Sequence, residues 1–65
     1  MGFDRERLAY LREQAVMTQQ ELADMAGLTV LSIHKIENGK QEPRPATIRK
    51  IARALRVKPS ELVGA

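Results

Sequence analysis

The sequence predicts an all-α fold, a compact bundle of five short helices. Three observations favour it. Helix caps flanked by apolar residues recur at short intervals, the apolar residues between them follow helical spacing, and no stretch alternates apolar and polar residues as a half-buried strand would. The chain has 65 residues, and a domain of that size buries only about 60% of its unfolded surface. We therefore expect one domain, residues 1–65, without a deep substrate pocket.

The first helix is predicted over residues 4–14. Asp4 can cap it, because a short carboxylate accepts hydrogen bonds from the free N–H groups of a first helical turn. Leu8, Leu11 and Ala15 follow at helical spacing and are expected to face the core.

The second helix has the clearest start, in the motif "MTQQEL". Thr18 is the expected cap and Glu21 stands three residues later, which completes a capping box. Met17 and Leu22 flank this box as a hydrophobic staple. Gly27 is expected to end the helix, since glycine adopts the left-handed conformation without steric cost.

The third helix is predicted to begin at once, with Thr29 as its cap, and to stop at Asn38-Gly39. Only "MAGLT" separates it from the second helix. Two helices joined by about three to four residues with a glycine cross steeply, as in a helix-turn-helix. A small residue is then needed where they approach, and Ala23 supplies it. We expect the helix-turn-helix over residues 18–38, with its angle filled by Leu22, Ala26, Leu28, Ile33 and Ile36.

The last two helices are predicted to start at prolines. Pro45 suits the first turn of the fourth helix, which carries one apolar stripe: Ile48, Ile51, Ala52 and Leu55. The fifth begins near Pro59, with Val57 and Leu62 as its staple. Lys58 precedes it and cannot accept a backbone hydrogen bond, so this helix is expected to be frayed or held by packing alone.

Composition excludes several classes of function. The chain has no cysteine and a single histidine, His34, so it can form neither a disulfide nor a zinc site of cysteine and histidine ligands. We expect no metal, no cofactor and no enzyme, because no paired carboxylates, nucleophile–base set or phosphate loop is evident. Apolar runs are too short for a membrane-spanning helix, and a cytoplasmic location is the default expectation.

Charge is unevenly distributed along the chain. Residues 35–58 carry eight basic groups against two acidic ones, whereas residues 1–34 carry three basic against five acidic. Such polarity favours a polyanionic partner. The alternatives are a solvated helix face and, for the basic fourth helix, an anionic membrane; the apolar stripe of that helix is better explained as core.

The segment "LREQAVMTQQELADMAGLTVLSIHKIENGKQEP", followed by "TIRKIARAL", resembles the lambda-repressor-like helix-turn-helix proteins, the Xre-type family of phage and bacterial regulators. "TQQELA" and "IENGK" are its most specific pieces. The resemblance implies a sequence-specific transcriptional repressor, whose third helix enters the major groove of double-stranded DNA and which binds a near-palindromic operator as a homodimer. The alternative is an antitoxin-like protein that captures a toxin partner and autoregulates by binding DNA.

The start of the third helix is expected to read bases. Val30 and Leu31 cannot form side-chain hydrogen bonds, but they can pack against the C5-methyl group of thymine. Lys35 lies one turn after Leu31 and would favour guanine. Two alternatives stay open: Val30 only borders the core, and Lys35 contacts a phosphate.

Further residues are assigned to the DNA backbone. The first turns of helices two and three present free N–H groups and a positive dipole end, which suit phosphates. In similar proteins the residue matching Gln19 contacts the backbone and braces the recognition helix, and the segment after that helix grips phosphates. The candidates are Thr18, Gln19, Thr29, Ser32, His34, Asn38, Gly39, Lys40 and Arg44. Four further basic residues could also contact the backbone, but at least half of them are expected to point into solvent: Arg49, Lys50, Arg53 and Arg56.

Two structural assignments complete the expectations. The resemblance implies an ion pair between Arg12 and Glu37, largely out of solvent; the alternative is two separate surface charges. Leu62 and Val63 are the apolar candidates for dimer contacts.

Overall fold

The structure is a computed structural model that describes residues 2–64. It contains four α-helices and a terminal 3-10 helix, in the order α1 (Arg5–Gln14), α2 (Gln19–Ala26), α3 (Val30–Glu37), α4 (Pro45–Leu55) and the 3-10 helix Pro59–Leu62. The all-α prediction is confirmed, but the fifth helix is a short 3-10 turn rather than an α-helix. No helix within residues 2–64 is long and apolar enough to cross a membrane.

The helix starts in the helix-turn-helix follow the predicted caps. The Thr18 hydroxyl accepts a hydrogen bond from the Glu21 N–H at 3.0 Å, and the Glu21 carboxylate accepts one from the Thr18 N–H at 2.8 Å. Thr29 accepts from the Ser32 N–H at 3.1 Å. Gly27, with φ of 72°, ends α2 in the left-handed conformation. These local bonds fix the turn between α2 and α3.

The five elements form a closed ring around one core. α2 packs against both α3 and α4, the 3-10 helix packs against α4 and α1, and α1 closes the ring against α3. Small and aliphatic side chains fill the centre: Leu8, Leu22, Ala23, Ala26, Ile33, Ile36, Ile51, Ala52, Ala54 and Leu62. In this order α2 lies between α3 and α4.

The structure corrects the predicted core position of Ala15. α1 ends at Gln14, and Ala15 lies exposed in the turn that follows. The chain there reaches α2 through Val16, which has a φ of 53°. Because the helix ends at Gln14, the prediction that Ala15 continues the apolar face of α1 is wrong.

The structure corrects the prediction that Leu62 forms a dimer contact. Its side chain is 0% exposed and belongs to the core, so it cannot meet a second copy. Val63 remains half-buried. The 3-10 helix is also not frayed: the Glu61 carboxylate accepts a hydrogen bond from the Lys58 N–H at 3.2 Å, a capping bond that does not need a polar acceptor at position 58.

The two ends of the domain are joined by backbone pairing. Phe3 and Val63 form an antiparallel bridge. On either side of it, the Asp4 N–H donates to the Leu62 carbonyl at 2.8 Å, and the Gly64 N–H donates to the Gly2 carbonyl at 2.7 Å. The start of α1 is therefore anchored to the 3-10 helix.

Candidate nucleic-acid interface

One face of α3 points to solvent and the other into the core. Ile33 and Ile36 are 0% and 1% exposed. Leu31 and Lys35, four residues apart, share the outward face of the helix, where both are exposed. Leu31 keeps 57% of its surface accessible. A leucine this open contributes little to the core.

The sequence leaves two interpretations of Val30: a base contact, or a residue that only borders the core. It is 39% exposed, so more than half of its surface is covered by the protein while the rest faces outward. Val30 therefore presents exposed apolar surface next to Leu31 in the chain.

A largely buried ion pair ties α3 to α1. The Arg12 Nε lies 2.7 Å from Glu37 Oε2, and its Nη2 donates to Glu37 Oε1 at 3.1 Å. The two side chains are 14% and 8% exposed. The hydrogen bond to Glu37 raises the pKa of Arg12 above its ordinary value, although burial acts in the opposite direction. Both oxygens of Glu37 are thus held by one planar guanidinium.

Two more contacts extend this pair into a network. The Gln19 amide donates to Glu37 Oε1 at 3.0 Å. The Arg12 Nη1 donates to the Met17 carbonyl at 2.8 Å. Arg12, Gln19 and Glu37, which we call the Arg12 cluster, therefore connect α1, the turn before α2, the first residue of α2 and the last residue of α3. Gln19 braces the end of α3 from the exposed amino end of α2.

The remaining backbone-contact candidates are exposed, except for half-buried Ser32. The Thr18 and Thr29 hydroxyls are already engaged as helix caps. The Asn38 amide donates to the His34 carbonyl at 2.7 Å, so it also serves α3. Lys40 and Arg44 carry the free positive charge of this segment.

The turn after α3 uses its backbone donors internally. The N–H groups of Asn38, Gly39 and Lys40 donate to the carbonyls of His34, Ile36 and Lys35, at 3.1, 3.2 and 2.8 Å. Gly39 has a φ of 73°, which closes the turn. Gly39 has no side chain, so it offers no spare hydrogen-bond donor to a phosphate and can contribute only by close approach.

Arg5 lies beside this turn, although nothing in the sequence marked it. A Cβ placed on Gly39 would stand 2.5 Å from Arg5 Nη1 and 2.9 Å from its Cζ. Arg5 and Gly39 are far apart in the chain, and neither belongs to a shared motif. Only the packing of α1 against α3 brings them together.

A second surface lies between α4 and the 3-10 helix. A groove of about 260 Å³ opens there, lined by Pro45, Ile48, Arg49, Pro59, Ser60 and Val63. Most of this lining is apolar. Four basic residues of this region are exposed: Arg49, Lys50 and Arg53 in α4, and Arg56 at its carboxyl-terminal cap. α2 packs against both α3 and α4.

Curated proteins similar to this chain are transcriptional repressors. The chain is 45% identical over 53 residues to the HTH-type transcriptional repressor RghR of Bacillus subtilis, covering 80% of the chain and 39% of that protein. It is 38% identical over 60 residues to the cryptic phage CTXphi transcriptional repressor RstR of Vibrio cholerae, covering 92% of the chain and 54% of that protein. The chain thus spans about half or less of these relatives.

A solved structure supports the same fold. The restriction-modification controller protein C.AhdI from Aeromonas hydrophila superposes with a TM-score of 0.89 at 32% sequence identity, covering 91% of this chain and 89% of that one. Residues 8–62 match the helix-turn-helix family HTH_3. The resemblance seen in the sequence is confirmed: the chain belongs to the lambda-repressor-like helix-turn-helix family of DNA-binding transcription regulators.

Proposed function

We propose that this chain binds a specific operator as a homodimer, with α3 in the major groove, and represses transcription by occupying promoter DNA. One observation carries the proposal: α3 exposes Leu31 and Lys35 on one face while its opposite face is fixed in the core. A rigid helix with a free outer face can place side chains against base edges at defined depth. Such a regulator would act in the cytoplasm, where bacterial DNA lies.

Sequence readout would combine apolar and polar contacts. Leu31, with Val30 beside it, would pack on the C5-methyl of thymine, which is the apolar feature of the major groove. Lys35, one turn deeper along the same face, would donate to O6 and N7 of guanine. These two contact types select different bases, so together they define a short recognition sequence.

Affinity would come from phosphates. Thr18 and Gln19 lie at the amino end of α2, and Lys40 and Arg44 follow α3. These two groups are the proposed phosphate contacts on either side of the bases that α3 reads. Lys and Arg side chains that neutralise phosphates release condensed counterions, which makes the affinity depend on salt. The Arg12 cluster would hold the amino end of α2 and the carboxyl end of α3 at a fixed separation, so that both could contact one DNA strand.

Dimerisation would use the groove between α4 and the 3-10 helix. The exposed part of Val63 contributes to its apolar lining, together with Ile48 and Pro59. Leu62 supports this surface from within the core but does not form it. A dimer would place two α3 helices in successive major grooves about 34 Å apart.

The test is selection of bound sequences from a random DNA library with the purified chain. We expect a two-fold symmetric consensus whose half-sites are centred one helical turn apart and contain both thymine and guanine. An asymmetric consensus would refute the homodimer. Recovery of unrelated sequences without a consensus would refute specific DNA binding.

A further inference from the structure

Arg5, the first residue of α1, occupies the space that the missing side chain of Gly39 leaves open. The distances from an added Cβ, 2.5 Å to Nη1 and 2.9 Å to Cζ, show that the guanidinium lies directly against the Gly39 backbone. Position 39 favours glycine because it adopts a positive φ of 73°. An added Cβ would displace only the flexible end of the Arg5 side chain.

The backbone on the amino-terminal side of Arg5 is held by two long-range hydrogen bonds. The Phe3 N–H donates to the Glu42 carboxylate, in the segment between α3 and α4, at 3.3 Å. The Asp4 N–H donates to the Leu62 carbonyl at 2.8 Å. The start of α1 is thus tied both to the segment that follows α3 and to the 3-10 helix, which fixes where the Arg5 side chain emerges.

The charge of Arg5 is not neutralised within the described residues. No carboxylate oxygen in residues 2–64 lies within 4.0 Å of its guanidinium, and none of the hydrogen bonds found there uses its side-chain donors. Its place at the amino end of α1 is electrostatically unfavourable, because that end of a helix carries partial positive charge. The residue is exposed, so its guanidinium is accessible to a ligand while it lies beside Gly39.

The backbone N–H groups of residues 38–40, in the neighbouring turn, are all engaged. The N–H groups of Asn38, Gly39 and Lys40 are bonded to carbonyls of α3, and the Asn38 amide is bonded to His34. A phosphate that approached Gly39 would find no free backbone N–H among residues 38–40. Arg5 is the cationic group that the structure places against Gly39.

We propose that Arg5 binds a DNA phosphate at the turn after α3, together with Lys40. This proposal rests on the proposed function, because it concerns the same duplex. Arginine matches a phosphodiester geometrically, since two parallel N–H groups can reach two oxygens. The alternative is that Arg5 only offsets the partial negative charge at the carboxyl end of α3.

The experiment measures the affinity for the library-selected duplex at several salt concentrations, for wild type, Arg5→Ala and Arg7→Ala. Arg7 is the matched control: it lies on the same helix and loses the same charge, but it is paired with Glu61 at 3.6 Å. We expect Arg5→Ala to reduce the slope of log affinity against log salt by about 0.9 per protomer. Arg7→Ala should leave the slope unchanged.

Thermal unfolding of the same variants separates the phosphate contact from the structural alternative. Equal salt slopes for Arg5→Ala and Arg7→Ala, with or without a lower melting temperature for Arg5→Ala, would overturn the proposal. If Arg5→Ala does not fold, Arg5→Gln replaces it. If neither Arg5→Ala nor Arg5→Gln folds, Arg5 has a structural role, and the proposal is overturned as well. Wild-type binding that does not depend on salt would instead refute DNA binding itself.

Discussion

Val16 adopts a backbone conformation that β-branched residues rarely enter. Its φ is 53°, and its side chain is 89% exposed. The branched Cβ is strained at positive φ, and no packing compensates for it. The strain arises because the chain must turn sharply between α1 and the Thr18 capping box. Val16 therefore reduces the stability of the domain without serving the core.

Replacing Val16 should stabilise the protein. We expect Val16→Gly to raise the free energy of unfolding by about 1 kcal/mol, because glycine enters the left-handed region freely. For a domain of this size that corresponds to a melting temperature about 4–8 °C higher. Val16→Ala is the control, since it removes the exposed side chain but keeps a Cβ at positive φ. An equal gain in both variants would show that the branched apolar side chain, and not the presence of a Cβ at positive φ, was responsible.

Leu31 gives the sharpest test of base reading at the residue scale. In the selected duplex, replacing the contacted thymine by uracil removes only the C5-methyl. Loss of one buried methyl is expected to cost wild type about 0.8 kcal/mol, or about fourfold in affinity. In Leu31→Ala the same replacement should have no effect, because the partner side chain is gone. An equal loss in both proteins, measured by fluorescence anisotropy, would show that Leu31 does not contact the methyl.

At the scale of elements, the helix starts could be predicted but several packing relations could not. Thr18, Glu21 and Thr29 act through neighbours within three residues, so their roles are local and readable in the sequence. The burial of Leu62 depends on α1 and α4 closing over the 3-10 helix. The contact of Arg5 with Gly39 depends on how α1 docks against α3. Such relations between distant segments leave no spacing pattern.

The Arg12 cluster connects the end of α3 to α1 and α2. Glu37→Ala would leave the largely buried Arg12 guanidinium without its carboxylate and remove the acceptor of Gln19. We expect a loss of about 3–5 kcal/mol in unfolding free energy, measured by urea denaturation, as for a broken buried pair.

Arg7→Ala is the matched comparison for Glu37→Ala. It breaks an exposed pair, Arg7 with Glu61, whose side chains are 43% and 38% accessible. A change of about 0–1 kcal/mol is expected there, because solvent screens the charges and the side chains lose entropy on pairing. A Glu37→Ala loss in this same small range would show that the cluster does not hold α3 in place.

At the scale of the whole molecule, the ring of elements separates two surfaces. The exposed face of α3, which we propose reads bases, is one of them, and the apolar groove between α4 and the 3-10 helix is the other. A second copy at the groove would leave both α3 faces free. The uneven charge of the sequence predicted a polyanionic partner, but it could not assign that partner to a surface, because position along the chain does not show how α3, α4 and the segment between them pack around the core.

A charge placed in the groove should weaken the proposed dimer. We expect Val63→Glu to lower the mass measured by light scattering towards that of a monomer, because a carboxylate would be buried against an apolar surface. Met25→Glu is the control, an apolar-to-acidic change at a 58% exposed position of α2. Thermal unfolding checks that both variants fold. An unchanged mass for folded Val63→Glu would place the dimer contact elsewhere.

The most direct test of α3 as the reading helix is the ratio of affinities for the selected duplex and a scrambled duplex of the same composition, at one salt concentration. We expect the selected duplex to bind at least about a thousandfold more tightly, the lower end for specific DNA-binding proteins. Lys35→Ala should reduce that ratio through its effect on the selected duplex. Equal wild-type affinity for the two duplexes would contradict the account.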